Sequence, residues 1–295
     1  MFFIFSQLIL HQKNLDNFIE QIAMQDKPEI YYHVGLPKTA TTFLQHEVFP
    51  KFRGIHFVKK HDFKHHDKII QKHRQSKVLF SVEHDWDFEQ ALSSFAEKYP
   101  HARIIIAFRR HDKWLSSKYR YYIRKSGFKR FEEYFDLEND LGVLTKEDLR
   151  FMNYIRIIEK YFHEKPLVIF QDELKEDFYG VLDHLAGFMG ASYDRNRIKP
   201  KVIKKAFNDK QLFYLRKFNR TFKHHPKKFK KRIWRRSHIM TRKYVVHTFA
   251  FFVNFIPKTM TPDFVLLPPE ALEKVREYYK QDWEACQKYA RNNTP

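Results

Sequence analysis

The sequence predicts an α/β protein whose mostly parallel sheet is flanked by helices. Short apolar runs rich in β-branched and aromatic residues alternate with segments of helical spacing, an order typical of parallel α/β folds. Two of these runs, 103–109 and 166–171, lack polar alternation, as strands buried on both faces do. The chain has 295 residues, of which 43% are apolar, and this is enough for a substantial core.

The elements follow from the same patterns. Strands are predicted at 29–35, 77–84, 103–109 and 166–171. Helices are predicted at 41–49, 87–99, from Asp112 to about Arg124, at 146–162, 177–190 and 208–222, within 227–250, and at 268–290. Asp112 is expected to cap its helix, Gly190 to end the helix at 177–190, and Pro269 to stand in the first turn of the last helix.

The domain organisation is predicted to be simple. Residues 1–28 are interpreted as a leader, and 29–295 as a single domain with a basic helical insertion at about 223–262. The opening apolar run, MFFIFSQLIL, is short and has neither a basic region before it nor a cleavage site after it, so no signal peptide is expected. The single cysteine, Cys286, excludes an intrachain disulfide, and we expect a cytoplasmic protein.

The chain is strongly basic, with 55 Lys and Arg against 35 Asp and Glu. The excess is uneven, because residues 210–262 contain fifteen Lys or Arg and no acidic residue. A balance of this kind favours an anionic partner. The candidates are nucleic acid, anionic lipid, an acidic glycan and a phosphorylated cofactor.

The segment GLPKTATT, residues 35–42, lies between the first predicted strand and a predicted helix. A turn in this position directs backbone N–H groups and the positive end of a helix dipole at one point, where a phosphate group binds well. Counted from Gly35, the ATP-binding Walker A loop requires Gly at 40 and Lys at 41. The chain has Ala40 and Thr41 there, and its lysine comes earlier, at Lys38. The turn is therefore predicted to bind a phosphate other than that of ATP.

The segment PKTATT resembles the 5′-phosphosulfate loop P-K-[ST]-G-T-T of the sulfotransferases that use 3′-phosphoadenosine-5′-phosphosulfate (PAPS). The residues that match or replace this pattern are Pro37, Lys38, Thr39, Ala40, Thr41 and Thr42. Ala40 stands where the family usually has Gly, and its methyl group is compatible with the loop if the residue keeps φ below zero. The resemblance implies a P-loop-type α/β fold.

A second motif strengthens the resemblance. The family binds the 3′-phosphate of the cofactor with an Arg at the end of a buried strand and a Ser eight residues later. Arg109 and Ser117 have this spacing, and Arg110 with Ser116 is the shifted alternative. An Arg fork and a hydroxyl group suit a phosphate monoester, which offers several acceptor oxygens.

The resemblance, to bacterial-type members in particular, covers residues 29–222 and 264–291. It implies sulfuryl transfer from PAPS to a hydroxyl or amine of an acceptor, with release of 3′-phosphoadenosine-5′-phosphate (PAP). Lys38 and the N–H groups of 39–42 would stabilise charge on the leaving phosphate oxygen. No metal is required in this scheme, and the 17 histidines show no spacing typical of a zinc site.

The acceptor needs a base, which related enzymes supply as His or Glu after a strand near the loop. Glu83 and His84 both end the strand at 77–84, and successive residues of a strand point in different directions. Glu83 is favoured because the Ser-x-Glu strand end resembles bacterial members. His84 is the alternative, because its ordinary pKa suits a base near neutral pH.

The basic segment allows three interpretations: a groove for an acidic glycan, a packed helix pair, or peripheral contact of residues 216–257 with an anionic membrane at its cytoplasmic face. A carbohydrate, possibly acidic, is the expected acceptor, and nucleic acid is not the expected partner.

Two other functions compete with sulfuryl transfer. A P-loop kinase is supported by VIFQD, which looks like a Walker B strand ending in Asp172, and a non-catalytic polyanion-binding protein is supported by the net charge of +20.

Overall fold

The structure, a computed structural model, describes residues 28–73, 76–200, 207–222, 232–257 and 263–293. Its centre is a five-stranded sheet in which every pairing is parallel, with the strand order β2-β3-β1-β4-β5. The strands are β1 (Ile30–Gly35), β2 (His56–Val58), β3 (Val78–Glu83), β4 (Arg103–Phe108) and β5 (Leu167–Phe170).

The central strand β1 lies between β3 and β4, so the chain leaves β1 first to one side of the sheet and later to the other. In parallel α/β sheets, ligands bind in the crevice that this reversal opens beyond the carboxyl ends of the strands. The β1–β3 register pairs Gly35 with Glu83. The turn after β1 and the predicted base therefore meet at the same edge.

The sheet is buried on both faces because its strands are almost continuously apolar. Alternate residues point to opposite sides, so β1 contributes Tyr32 to one core and its neighbour Tyr31 to the other. Ile104 and Ile105 of β4 divide in the same way. Helices cover both faces, as the alternating order of elements predicts.

A helical run over 41–51 follows the turn after β1, and it begins as α1 (Thr41–Phe43). The other α-helices are α2 (His66–Lys72), α3 (Phe88–Ala96), α4 (His111–Lys125), α5 (Phe131–Tyr134), α6 (Phe151–Tyr161), α7 (Glu173–Glu176), α8 (Phe178–Phe188), α9 (Asp209–Thr221), α10 (Arg232–Val253), α11 (Pro269–Tyr278) and α12 (Lys280–Asn292).

The predicted fold class is confirmed, and several details differ from expectation. The helices α2, α5 and α7 were not predicted. The edge strand β2 was missed, because three residues give too little alternation to detect. Asp112 does not cap α4, since it lies inside the first turn, where it accepts hydrogen bonds from Arg110. The last predicted helix is divided at Tyr279. As predicted, Gly190 follows the end of α8 with a φ of 52°.

The predicted leader lies almost entirely outside the described residues, as does part of the basic insertion; the described residues 232–257 of that insertion form α10 and a short turn. The single-domain organisation remains a prediction. Within the described ranges, no helix combines the length and the apolar character needed to cross a membrane.

Stability should fall in mild acid because of a buried histidine in β1. His33 is fully buried, its Nδ1 lies 2.7 Å from Ser81 Oγ, and burial lowers its pKa to about 3. Between pH 6.5 and about 3, the imidazole of His33 is protonated in the unfolded chain and neutral in the folded chain. The free energy of unfolding should therefore fall by about 1.4 kcal/mol from this group between about pH 7.5 and 5.5. Urea unfolding at the two pH values measures the loss.

The matched variant is His33→Gln, which cannot titrate. The free energy of unfolding of this variant should fall by about 1.4 kcal/mol less than that of the wild type over the same pH interval. An equal loss in both proteins would contradict this role of His33.

Candidate functional site

A cleft of about 610 Å³ opens at the carboxyl ends of the parallel strands. Its lining combines cations, hydroxyl groups and one carboxylate with a small apolar wall. The lining residues are Lys38, Ala40, Thr41, Thr42, Phe43, Glu83, Arg109, Ser117, Gln171, Leu174, Lys175, Phe178 and Pro200. The structure thus brings together predicted residues from the ends of β1, β3 and β4.

The turn after β1 is braced from inside. Gly35 has no room for a side chain, because a Cβ there would lie 2.5 Å from Thr41 Oγ1. The hydroxyl of Thr39 donates a hydrogen bond of 2.7 Å to the carbonyl oxygen of Leu36. Thr39 is fully buried and does not line the cleft, so its side chain stabilises the turn from within.

Two residues of the turn have left-handed backbone conformations. Lys38 has a φ of 77° and Ala40 a φ of 69°. The condition under which an Ala fits this loop without strain, a φ below zero, is therefore not met, and Ala40 occupies the N-cap position of α1 in this left-handed conformation. This conformation is the one that the usual Gly adopts without steric cost.

Helix α4 is fastened to the turn along one face. The indole N–H of Trp114 donates a hydrogen bond of 2.8 Å to the carbonyl oxygen of Pro37. One helical turn further along α4 lies Ser117, and one more turn on, Tyr121 places its ring centre 3.9 Å from Lys38 Nζ. Residues at this spacing share a helix face, so a single face of α4 positions Lys38 and presents Ser117.

Arg109 lies in the cleft with part of its guanidinium buried. Its Nε has no hydrogen-bond partner within the described part of the chain. Burial lowers the pKa of Arg109, while Asp172 and Asp112 act in the opposite direction. Of the shifted alternative pair, Arg110 is engaged at 2.7 and 2.9 Å by the carboxylate of Asp112 and does not line the cleft.

The two candidate bases occupy different environments. Glu83 lines the cleft, with 31% of its side chain exposed and Lys60 Nζ 3.8 Å from its carboxylate. His84 is buried on the other side of the strand, where its Nε2 lies 2.6 Å from the hydroxyl of Tyr32. Burial lowers the pKa of His84, opposed by Asp87. Of the two, only Glu83 faces the cleft.

An ion pair with a buried lysine holds the segment that follows Glu83. Lys118, on α4, is almost completely buried, and its ammonium group donates to both carboxylate oxygens of Asp85 at 2.7 and 2.8 Å. The helix that holds Lys38 thus also holds the end of β3. The distance between cation and carboxylate across the cleft is therefore set by a single helix.

Sequence analysis missed the part of the cleft that follows β5. Gln171 lies in this wall, and its Oε1 is buried without a partner among the described residues. The end of β5 could have indicated Gln171, but the Walker B-like pattern pointed to the next residue, Asp172. Asp172 instead binds Lys113 at 3.1 and 3.2 Å and is not in the lining. Within the described ranges, no cluster of three His, Cys, Asp or Glu is arranged to hold a metal ion.

The chain matches no protein-family model and no curated protein. Among solved structures, it is similar to a sulfotransferase from Alicyclobacillus acidocaldarius, with 15% identity, a TM-score of 0.47 and coverage of 74% of this chain and 96% of the other. It is also similar to the mouse sulfotransferase SULT7A1 complexed with PAP, with 15% identity, a TM-score of 0.44 and coverage of 91% and 92%. Both neighbours carry the family name that the PKTATT motif suggested.

Replacing Ala40 by Gly should stabilise the protein. The substitution removes the steric cost of a Cβ at a φ of 69°, and we expect a gain of about 1 kcal/mol in the free energy of unfolding. Chemical denaturation of both proteins measures it. The matched control is Ala91→Gly within α3, which should lose about 0.5–1 kcal/mol. A loss in both variants would contradict the left-handed conformation of Ala40.

Proposed function

We propose that this protein transfers a sulfuryl group from PAPS to a hydroxyl or amine of an acceptor, with release of PAP. The acceptor that we favour is a carbohydrate. The supporting observation is the composition of one cleft: Lys38 at the end of β1, Arg109 and Ser117 after β4, and Glu83 at the end of β3 line it together. Cationic and hydroxyl donors for a phosphorylated ligand thus lie beside a carboxylate that can take a proton.

Arg109 and Ser117 are proposed to hold the 3′-phosphate. The orphaned Nε of Arg109 supports this assignment, because a buried donor without a partner costs free energy until a ligand supplies an acceptor. An Arg fork makes short, charge-assisted bonds to phosphate oxygens. Burial strengthens them, since less water screens the charge. Gln171, whose Oε1 is also buried without a partner among the described residues, is available to a donor on the same ligand.

Lys38 and the first N–H groups of the helical run at 41–51 are proposed to hold the 5′ end. The donor supplies the sulfuryl group and keeps the bonding electron pair on its phosphate oxygen. Lys38 stabilises that developing charge, and the ring of Tyr121 beneath its ammonium group limits where it can move. The N–H groups at the start of a helix have no intrahelical partner and add to this stabilisation.

Glu83 is proposed as the base. A carboxylate at the end of β3 faces the same cleft as Lys38, because β1 and β3 are neighbouring strands in register. Glu83 would accept the proton of the acceptor hydroxyl as the bond from oxygen to sulfur forms. His84 is less suited to this role, since Tyr32 already engages its Nε2 at 2.6 Å.

The two competing functions receive less support from the site. A kinase of the Walker type needs a carboxylate for Mg²⁺, and Asp172 is engaged by Lys113 instead. A polyanion-binding protein accounts for the charge but does not account for a braced turn beside a buried Arg.

The first test is ligand binding measured by thermal shift. PAP should raise the melting temperature, because a ligand that binds only the folded state stabilises it, by about 2.7 kcal/mol at about 100 times Kd. AMP, which lacks the 3′-phosphate, should produce a smaller shift. Stabilisation by Mg-ATP rather than PAP would favour the kinase, and no shift with any nucleotide would favour the polyanion-binding protein.

The matched variants for this test are Arg109→Ala and Arg110→Ala. Only the first removes a cation from the cleft, so only the first should abolish the PAP shift. Each variant is compared with its own ligand-free protein, which separates binding from stability.

Glu83→Gln should lower the rate of PAP release from PAPS by about 10²–10⁴-fold, because the amide cannot accept the proton. The PAP thermal shift should be retained. Desulfated heparin and 4-nitrophenol serve as carbohydrate and phenol acceptors. Full activity in Glu83→Gln would remove Glu83 from the mechanism, and transfer to 4-nitrophenol alone would contradict the carbohydrate acceptor.

A further inference from the structure

Helix α10 has two unlike faces. Val246, Ala250 and Val253 are buried where the helix packs against α9. The opposite side exposes large apolar residues at a helical spacing. This aromatic stripe consists of Met240, Tyr244 and Phe251 on α10 and Phe255 in the turn that follows the helix, with Val245 and Phe252 beside it.

The stripe is unusually exposed for aromatic residues. Tyr244, Phe251, Phe252 and Phe255 have exposures between 58% and 68%. The ring of Phe251 lies 5.2 Å from that of Phe255 and 5.7 Å from that of Phe252, so the rings form one contiguous surface. Contiguous apolar surface of this kind typically marks an interaction site.

Along the sequence, the charge on either side of the stripe has one sign. The stripe lies within residues 210–262, where fifteen Lys or Arg occur and no Asp or Glu. Lys243 is exposed on α10 itself, and Arg220 is exposed at the end of the neighbouring helix α9. A partner for this face must therefore accept apolar rings and carry negative charge.

We propose that the aromatic stripe of α10 binds the surface of anionic lipid bilayers. Phenylalanine rings offer apolar surface and no hydrogen-bonding group, which suits the boundary between headgroups and acyl chains, and the surrounding cations suit anionic headgroups. Nucleic acid also attracts cations and aromatic rings, but four large exposed apolar residues along one helix favour lipid. This proposal goes beyond the proposed reaction and does not depend on it.

The contacts of α9 fix the stripe relative to the cleft. Asn219 of α9 donates hydrogen bonds of 2.7 and 2.9 Å to the carbonyl oxygens of Ile123 and Gly127, at the end of α4. Arg242 of α10 donates to the same Asn219 at 2.6 Å. Because α4 also carries Ser117, a bilayer bound to α10 holds the cleft at a fixed orientation to the membrane.

The test is co-flotation of the full-length protein with lipid vesicles. The protein should float with phosphatidylcholine vesicles containing about 30% phosphatidylglycerol and not with phosphatidylcholine alone, and about 0.5 M NaCl should weaken the binding. The double variant Phe251→Ser with Phe255→Ser should lower the partition coefficient by about tenfold or more. Leu141→Ser, at an 80% exposed residue outside the stripe, is the matched control and should float as the wild type does.

Four results would overturn the proposal. The first is failure of the wild type to float with the anionic vesicles, and the second is undiminished flotation of the double variant. The third is a wild-type dimer in sedimentation velocity that becomes monomeric in the double variant, since the stripe would then be an interface between two copies. Displacement of the vesicles by duplex DNA at equal phosphate concentration, with the double variant retaining DNA binding, would assign the cations to nucleic acid.

Discussion

The packing of α4 against the turn after β1 is the contact on which the candidate site depends. Because β1 and β4 are neighbouring parallel strands, the turn after one and the helix after the other begin at the same edge of the sheet. The hydrogen bond from Trp114 to Pro37 joins them, and the same helix face continues through Ser117 to the ring beneath Lys38. A single rigid element therefore sets the positions of groups that are about 80 residues apart in the chain.

The positive charge of the cleft depends on ion pairs that bind the surrounding carboxylates to other cations. Arg109 and Lys38 line the cleft, and three carboxylates on the surrounding segments bind other cations. The pairs are Asp85 with Lys118, Asp112 with Arg110, and Asp172 with Lys113. These pairs keep acidic side chains from neutralising the cleft, so an anionic ligand meets a positive and partly desolvated surface. Glu83, at the far wall, is the carboxylate in the lining.

Helices α9 and α10 connect the basic segment to this arrangement. Helix α9 packs on α4, and α10 packs on α9, so the aromatic stripe and the cleft belong to one packed body. The buried Asn219 connects all three helices by donating to α4 and accepting from α10. A buried amide that satisfies both neighbours specifies their mutual orientation, because any other packing would leave it without partners.

Much of this protein was determined by local sequence. The periods of apolar residues predicted four of the five strands and most helices, since burial on a sheet or on one helix face leaves a repeating pattern. The turn motif follows β1, and Arg109 directly follows β4 while Ser117 lies within α4, as their spacing predicted.

The remaining features were decided only by tertiary contacts. The edge strand β2 has too few residues to show a pattern and forms because β3 offers it a partner. Ala40 is left-handed in a turn whose Pro37 carbonyl accepts a hydrogen bond from the distant Trp114, a conformation that the Cβ of an alanine disfavours. Strand alternation predicts that Glu83 and His84 point in different directions, but which of them faces the cleft depends on tertiary contacts such as that of His84 with Tyr32, 52 residues earlier. Local sequence carries no record of such distant partners, so only the folded chain determines which side chain reaches the cleft.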